Sequence, residues 1–205
     1  MASVQKFSKS AIINQLRHIE RTIQNPSNPD IDQSMRNQNY SLVDHGMSSY
    51  DYYKQRLSEC YVYNREDVKT AFGWVITCPE DVPRDQIDLF FYNVYDFLTE
   101  RYGAENCVQA VVHKDESGRP HLHYISIPVV SDSKHSQGIK VCADKVITRK
   151  ELRNFHSDLD SFLRNRGMRC SVYTGITKMQ GGNRTVRQLK QEREVQRTCE
   201  AERRW

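Results

Sequence analysis

The sequence predicts an α+β domain: an antiparallel β-sheet flanked by helices, followed by a charged C-terminal helix. Three observations carry this reading. The stretch VVHKDESGRPHLHYISIPV, residues 111 to 129, holds two apolar, β-branched runs joined by a short turn, the pattern of a hairpin. Residues 83–102 and 148–166 place apolar side chains at helical spacing. Strands and helices do not alternate strictly, and the hairpin lies at the centre of their order.

Along the chain, Ser3 to Phe7 reads as a short strand. Ser8 or Ser10 is placed to cap a helix running to Arg21, with Ile12, Leu16 and Ile19 on one face and His18 and Arg21 as neighbours on another. Asn25 to Asn39 is rich in Asn, Pro, Asp, Ser and Gln, hence a long loop of the kind that often binds. Ser48 to Arg65 carries Tyr50, Tyr52, Tyr53, Tyr61 and Tyr63 and reads as a helix followed by a looser connection. Phe72 to Cys78 is a buried strand. Pro83 to Tyr102 is a helix turning Ile87, Phe90, Phe91, Val94, Phe97 and Leu98 inward. Cys107–His113 and His121–Val130 are the hairpin strands, Ser131–Gly138 is a polar loop, and Val141–Val146 gives only a weak signal. Thr148 caps a helix to Arg166 with Leu152, Phe155, Leu159 and Phe162 inward, and Gly167 ends it. A short strand at Ser171–Thr174 and a break at Gly181-Gly182-Asn183 precede a charged helix, Thr185–Trp205. The division expected is a catalytic domain over 1–180 and an extension or linker over 181–205.

Composition narrows the function classes. Apolar content of 38% and charged content of 27% suit one core with a solvated surface. No apolar run reaches membrane-span length and the first residues lack an apolar signal core, so a cytoplasmic chain is expected. The six cysteines are scattered without a CxxC pair, which argues against a disulfide frame or zinc knuckle. The whole net charge of +4 resides in Lys178–Trp205, where eight Lys/Arg face four Glu, an excess that favours a polyanionic partner.

The hairpin carries the chemistry. His113, His121 and His123 fall within eleven residues, and the side-chain period of two puts His121 and His123 on one sheet face. Directly paired antiparallel residues share a face, so His113 joins them if it pairs with either His121 or His123, and both loop lengths are acceptable. Three neutral imidazoles on a rigid face suit Mn²⁺, Zn²⁺, Ni²⁺ or Co²⁺ better than Mg²⁺. By the same parity Asp115 shares the face of His113 and is placed to orient an imidazole, and Glu116 is placed as a general base. With no GxSxG and no Gly-rich phosphate loop, the candidate nucleophiles are His18, Tyr40 and the tyrosines between 50 and 63.

His113-Lys114-Asp115-Glu116 followed by Pro120-His121-Leu122-His123 resembles the metal motif of HUH endonucleases, most nearly the Mob/Pre plasmid mobilisation and recombination proteins, the MobV relaxases. Four further stretches are similar in the same order: Arg17-His18-Ile19-Glu20-Arg21; Asn28-Pro29-Asp30-Ile31-Asp32 with Arg36 and Asn39-Tyr40-Ser41-Leu42; Arg65-Glu66-Asp67-Val68 before Trp74-Val75-Ile76-Thr77; and Gly182-Asn183-Arg184-Thr185. The resemblance implies an antiparallel sheet with the metal triad on its central strands, and cleavage and rejoining of one DNA strand at a plasmid origin of transfer through a covalent 5′-phosphate. It implies His18 as nucleophile, Tyr40 as a DNA-contacting or alternative nucleophilic residue, Glu116 as proton acceptor, and Arg21 and Arg65 as phosphate clamps. A divalent ion, Mn²⁺ first, is the implied cofactor, and single-stranded or supercoiled DNA the partner. Asn28, Arg36, Asn39, Lys178 and Arg184 are further DNA contacts expected on this footing. Membrane contact is not expected. Dimerisation is expected only through a C-terminal region largely missing here, which makes the chain the catalytic fragment of a longer protein or a short member. A rolling-circle initiator with a tyrosine nucleophile and a non-catalytic single-strand binder are the alternatives.

Overall fold

In the computed structural model, which describes residues 2–23 and 28–172, one sheet contains β1 (Ala2–Ser8), β2 (Tyr40–Ser41), β3 (Lys69–Thr77), β4 (Cys107–His113) and β5 (His121–Ser126). Their spatial order is β1-β3-β5-β4-β2, and every neighbouring pair is antiparallel. The helices are α1 (Lys9–Ile19), α2 (Ser49–Ser58), α3 (Ile87–Tyr102), the single turn α4 (Ala143–Val146) and α5 (Arg149–Asn165). A separate ribbon pairs β6 (Val129–Ser131) with β7 (Ile139–Val141). The antiparallel sheet flanked by helices is the architecture expected; the charged helix and the boundary near residue 180 lie outside the described residues.

Alternation along the strands divides the core in two. Phe72, Trp74, Ile76, Ala110, Val112, Leu122 and Tyr124 point to one face, where α3 and α5 cover them with Phe90, Phe91, Val94, Phe97, Phe155 and Leu159. Trp74 stacks on Phe155 at 3.6 Å between ring centroids. Each such ring contributes about 1.5–3 kcal/mol by burial, so this face is the mechanical base of the sheet. The other face holds Phe7, Ala71 and Ile125 against Ile12, Leu16 and Ile19 of α1 and Tyr53 and Leu57 of α2. The three interior strands, β3, β5 and β4, are therefore clamped from both sides, and β5 and β4 carry the three histidines.

Several elements depart from the sequence expectation. α1 stops at Ile19 rather than reaching Arg21. The Asn-rich loop contains a 3₁₀ turn, Gln33–Gln38, and delivers the edge strand β2, which the pattern did not show because two residues are too few for a period. β5 ends at Ser126, since Pro128 has no N–H to offer a ladder. The polar stretch after it forms the β6–β7 ribbon, where Asp132 accepts from both Lys140 and His135. On α5 the inward set is Phe155, Leu159 and Leu163, with Phe162 packed against it as expected, while Leu152 is 46% exposed. Thr148 Oγ1 does cap this helix, accepting from Glu151 N at 3.0 Å, and Gly167 takes φ +76° beyond its end. Ser171 and Val172 are not in a strand, and the remainder of that expected strand lies outside the described residues.

Candidate metal and strand-transfer site

The register decides between the two pairings open from sequence: His113 faces His121, and Val111 faces His123. All three imidazoles therefore share the α1 face of the sheet. One ring atom from each lies within 4.8 Å of the others, and His121 Nε2 and His123 Nε2 are 3.1 Å apart. His113 and His123 are buried and His121 is half-buried. Burial holds all three rings below the usual histidine range, His113 at about 4, with the Arg21 charge the next cause at His113. They are neutral donors at physiological pH, the form a metal requires.

The tautomer of His113 follows from its partners. Its Nε2 lies 2.8 Å from the Ile19 carbonyl, an acceptor only, so Nε2 carries the proton and Nδ1 the lone pair. That lone pair accepts from Arg21 Nη2 at 3.0 Å. A carbonyl behind the ring is the usual support of a metal-ligating histidine. The donor set thus fits a borderline divalent ion, with the Arg21 contact to His113 as the bond such an ion would replace.

Arg21 owes its position to the way α1 ends. Thr22 N bonds Arg17 O and Arg21 N bonds His18 O, the paired bonds of a Schellman ending. The residue at its left-handed position is normally glycine; here it is Arg21, at φ +57°. That conformation costs about 1–2 kcal/mol for a residue with a Cβ, and it turns the side chain back beneath the helix. There Nε and Nη2 donate to the two oxygens of Asp115 at 2.9 and 2.7 Å, and Nη2 also reaches Glu116 Oε1 at 2.7 Å. Arg21 and Asp115 are 7% and 1% exposed. Asp115 therefore reaches His113 through Arg21 and not by accepting an imidazole N–H. Arg21 is largely spent on carboxylates, leaving only Nη1, 3.5 Å from His18 O, for a phosphate.

His18 lies one turn before that ending, half-buried, with its ring edge-on to His123 at 6.4 Å between centroids. Burial first and Arg21 second hold it below the ordinary histidine range, so its ring is neutral. Glu116 is close enough to act in the opposite sense on His18, and its backbone bridges to Ile31. His18, Arg21, Glu116 and the three triad histidines are thus brought together from two segments nearly a hundred residues apart.

The other candidates scatter. Tyr40 faces Val112 across β2 and β4, which directs it to the α3 side of the sheet, away from the imidazoles. Its hydroxyl donates to Asp88 at 2.7 Å, and burial together with that contact pushes the phenol up. Its phenol is thus on the opposite face of the edge strand from the imidazoles and spent on Asp88, an arrangement that does not favour Tyr40 as a nucleophile. Arg36 donates to the Arg21 carbonyl, and Asn39 Oδ1 accepts from Lys114 N at 2.7 Å, pinning the start of the histidine loop. Ile19, Glu20, Arg21, Arg36, Asn39, Tyr40 and Ser41 line a cavity of about 220 Å³ beside Val111. Asn28 is half-buried and uses its Oδ1 on Asp30 N. Arg65 is exposed and paired with Asp67. It lines a separate groove of about 1340 Å³ with Tyr61, Tyr63 and Lys54 that includes none of the triad, so the structure does not bring it together with the imidazoles. Lys178 and Arg184 lie outside the described residues. Sequence reasoning missed Asp88, the Ile19 carbonyl and the Arg36 tether; only Asp88, an acid in the first turn of a helix, left any signal, and that signal is generic.

Comparison with known proteins fits this geometry. A family model described as plasmid recombination enzyme, Mob_Pre, matches residues 1–192. A plasmid recombination enzyme of Streptococcus agalactiae is 28% identical over 199 residues, covering 93% of this chain and 38% of its own length. One of Bacillus thuringiensis is 31% identical over 170 residues, covering 80% and 37%. The chain therefore spans well under half the length of these relatives. Among solved structures, the MobM relaxase domain bound to plasmid oriT DNA, Mn-bound at pH 6.8, superposes with a TM-score of 0.77 at 26% identity over 94% of this chain and 97% of that one. The Mn-bound structure at pH 4.6 gives 0.75 at 26% identity, covering 93% and 98%.

Proposed function

Because this chain belongs to the plasmid recombination enzyme family, we propose that its described residues form a DNA relaxase domain, which nicks one strand at a plasmid origin of transfer and later rejoins it. The observation that supports this most is the placement of a neutral His18 ring 6.4 Å from His123, above a face where three imidazoles converge. His113, His121 and His123 would hold a divalent ion, Mn²⁺ first. Such an ion, when bound, supplies Lewis-acid neutralisation of charge on a phosphate oxygen.

The chain's own groups do the remainder. The His18 lone pair attacks phosphorus, an N–P bond forms to the 5′-phosphate, and the P–O3′ bond breaks; the 3′ oxygen leaves with the electron pair and takes a proton from water to become a 3′-hydroxyl end. Glu116 takes the proton from the second nitrogen of the His18 ring. Arg21 holds Glu116 and Asp115 in place and offers Nη1 to the phosphate. The N–P link conserves the energy of the broken bond, so attack by a 3′-hydroxyl restores the strand without ATP. Arg36 and Asn39 flank the site on the β2 side, where they suit backbone contact. Asn28 is proposed as a neutral hydrogen-bonding contact, and Lys178 and Arg184 as phosphate contacts whose contribution weakens with salt whatever the sequence. Residues 181–205 are proposed as an extension or linker to this catalytic unit. A plasmid DNA substrate favours a cytoplasmic location; among the described residues no helix is long and apolar enough to cross a membrane.

The test is mass mapping of the covalent adduct formed with Mn²⁺ and supercoiled plasmid carrying the cognate origin. The adduct is expected on His18, absent in His18→Ala and retained in Tyr40→Phe. An adduct on a tyrosine would instead support a rolling-circle initiator. Binding without nicking across Mn²⁺, Mg²⁺, Zn²⁺, Ni²⁺ and Co²⁺ would leave a single-strand binder.

A further inference from the structure

The register lays one line of residues straight across the sheet: Ser3, Val75, His123, Val111 and Ser41 are successive partners on β1, β3, β5, β4 and β2. Two cavities open on this line, one on each side of His123. The one toward β2 is lined by Arg21, Arg36 and Glu20. The one toward β1, about 160 Å³, is lined by Ser3, Gln5, Gln15, Val75, Ile125 and His123, among others, and none of its lining residues is charged.

The chemistry of the second cavity is distinctive. Its floor is apolar, from Val75 and Ile125. Its rim carries two amides and a hydroxyl, and the side chains of Ser3, Gln5 and Gln15 make no hydrogen bond to another described residue. Gln15 precedes His18 by three positions on α1, so the two are neighbours on one helix face. His123 forms a wall of the cavity and faces the His18 ring. The cavity therefore begins where the scissile phosphate would sit and extends away from it. A phosphate would call for a cation there, and none is present. A flat, uncharged ring with donors and acceptors on its edge fits an apolar floor with unspent amides at the rim.

We propose that this β1-side cavity binds the nucleobase adjoining the scissile phosphate, and that Gln5, Gln15 and Ser3 read its edge. The strand then crosses the sheet along the Ser3–Ser41 line, with charge handled on the β2 side and base identity on the β1 side. This deepens the relaxase reading and rests on it.

The experiment uses the full chain with Mn²⁺ and a single-stranded oligonucleotide pool of randomised sequence, reading by sequencing which oligonucleotides are bound and which are covalently captured. Wild type is expected to show a base preference at positions flanking the captured end. In Gln5→Ala/Gln15→Ala the preference at one flanking position falls by about tenfold, the scale of one lost amide–base pairing, while the other positions and the melting temperature hold. Gln15→Glu, which keeps shape but replaces the amide donor by an acceptor, shifts the favoured base at that same position. An unchanged preference in both variants, or a uniform loss at every position, overturns the subsite. Wild-type chain that captures no oligonucleotide overturns the relaxase reading itself, an outcome distinct from capture with an unaltered profile.

Discussion

Arg21→Met isolates the element on which the site is most dependent. The guanidinium sits between Asp115 and Glu116 with side-chain exposures of 6%, 0% and 20%. Removing it leaves the Asp115 carboxylate buried with no cation, a loss of about 3–5 kcal/mol for a broken buried pair. At about 2–4 °C per kcal/mol for a domain of this size, the melting temperature should fall by roughly 6–20 °C. Asp115→Asn should cost less, about 1–3 kcal/mol, because Glu116 and His113 still hold the guanidinium. The double variant should be more stable than the sum of the two losses by about 2 kcal/mol, since the second change removes the group the first left unpaired. Arg21→Gly supplies an internal control: it deletes more atoms than Arg21→Met but relieves the left-handed strain, so it should be the milder of the two by about 1 kcal/mol. The measurement is urea unfolding in EDTA, where no added ion can mask the charge. Single losses within about 1 kcal/mol that sum without coupling would refute the account of Arg21 as a buried positioning residue.

Mn²⁺ at a hundredfold excess over its dissociation constant should stabilise the wild-type chain by about 2.7 kcal/mol through mass action; calorimetry of His121→Ala should show that increment gone. Gly73→Ala should cost about 1–3 kcal/mol by urea unfolding, because a Cβ there would stand 2.6 Å from Ile125 Cδ1 and 3.0 Å from Phe7 Cε2. Asp132 is lowered to about 2 by Lys140 and then His135. Its contribution is complete above the unfolded value near 3.8 and is lost as pH falls toward about 2, so acid unfolding of Asp132→Asn should lack the component seen over that window in wild type.

How much of the site was legible depends on the range over which its geometry is set. The convergence of three imidazoles needed only the period of two and the pairing rule, both properties of adjacent residues, and parity left just two registers for the fold to choose between. The chosen one, His113 against His121, is selected from outside the hairpin: Pro120 O accepts from Cys78 N at 2.9 Å and Lys114 N bonds Asn39 at 2.7 Å, so the loop is held open at both ends by distant segments. Arg21 was visible as a basic residue three positions after His18 but was assigned to the helix, because nothing in the local pattern marks a left-handed arginine. Its conformation is maintained by carboxylates ninety-four and ninety-five residues away. The face that Tyr40 takes is hidden in the sequence for the complementary reason. The motif places it beside candidate site residues in sequence, yet a two-residue edge strand fixes its face, and pairing with Val112 rather than Val111 turns its phenol away from the imidazoles. A one-residue slip of β2 would have turned it toward the imidazoles. The face an edge tyrosine takes here is thus decided by strand register, which single-sequence periodicity does not reach when the strand is shorter than its own period can reveal.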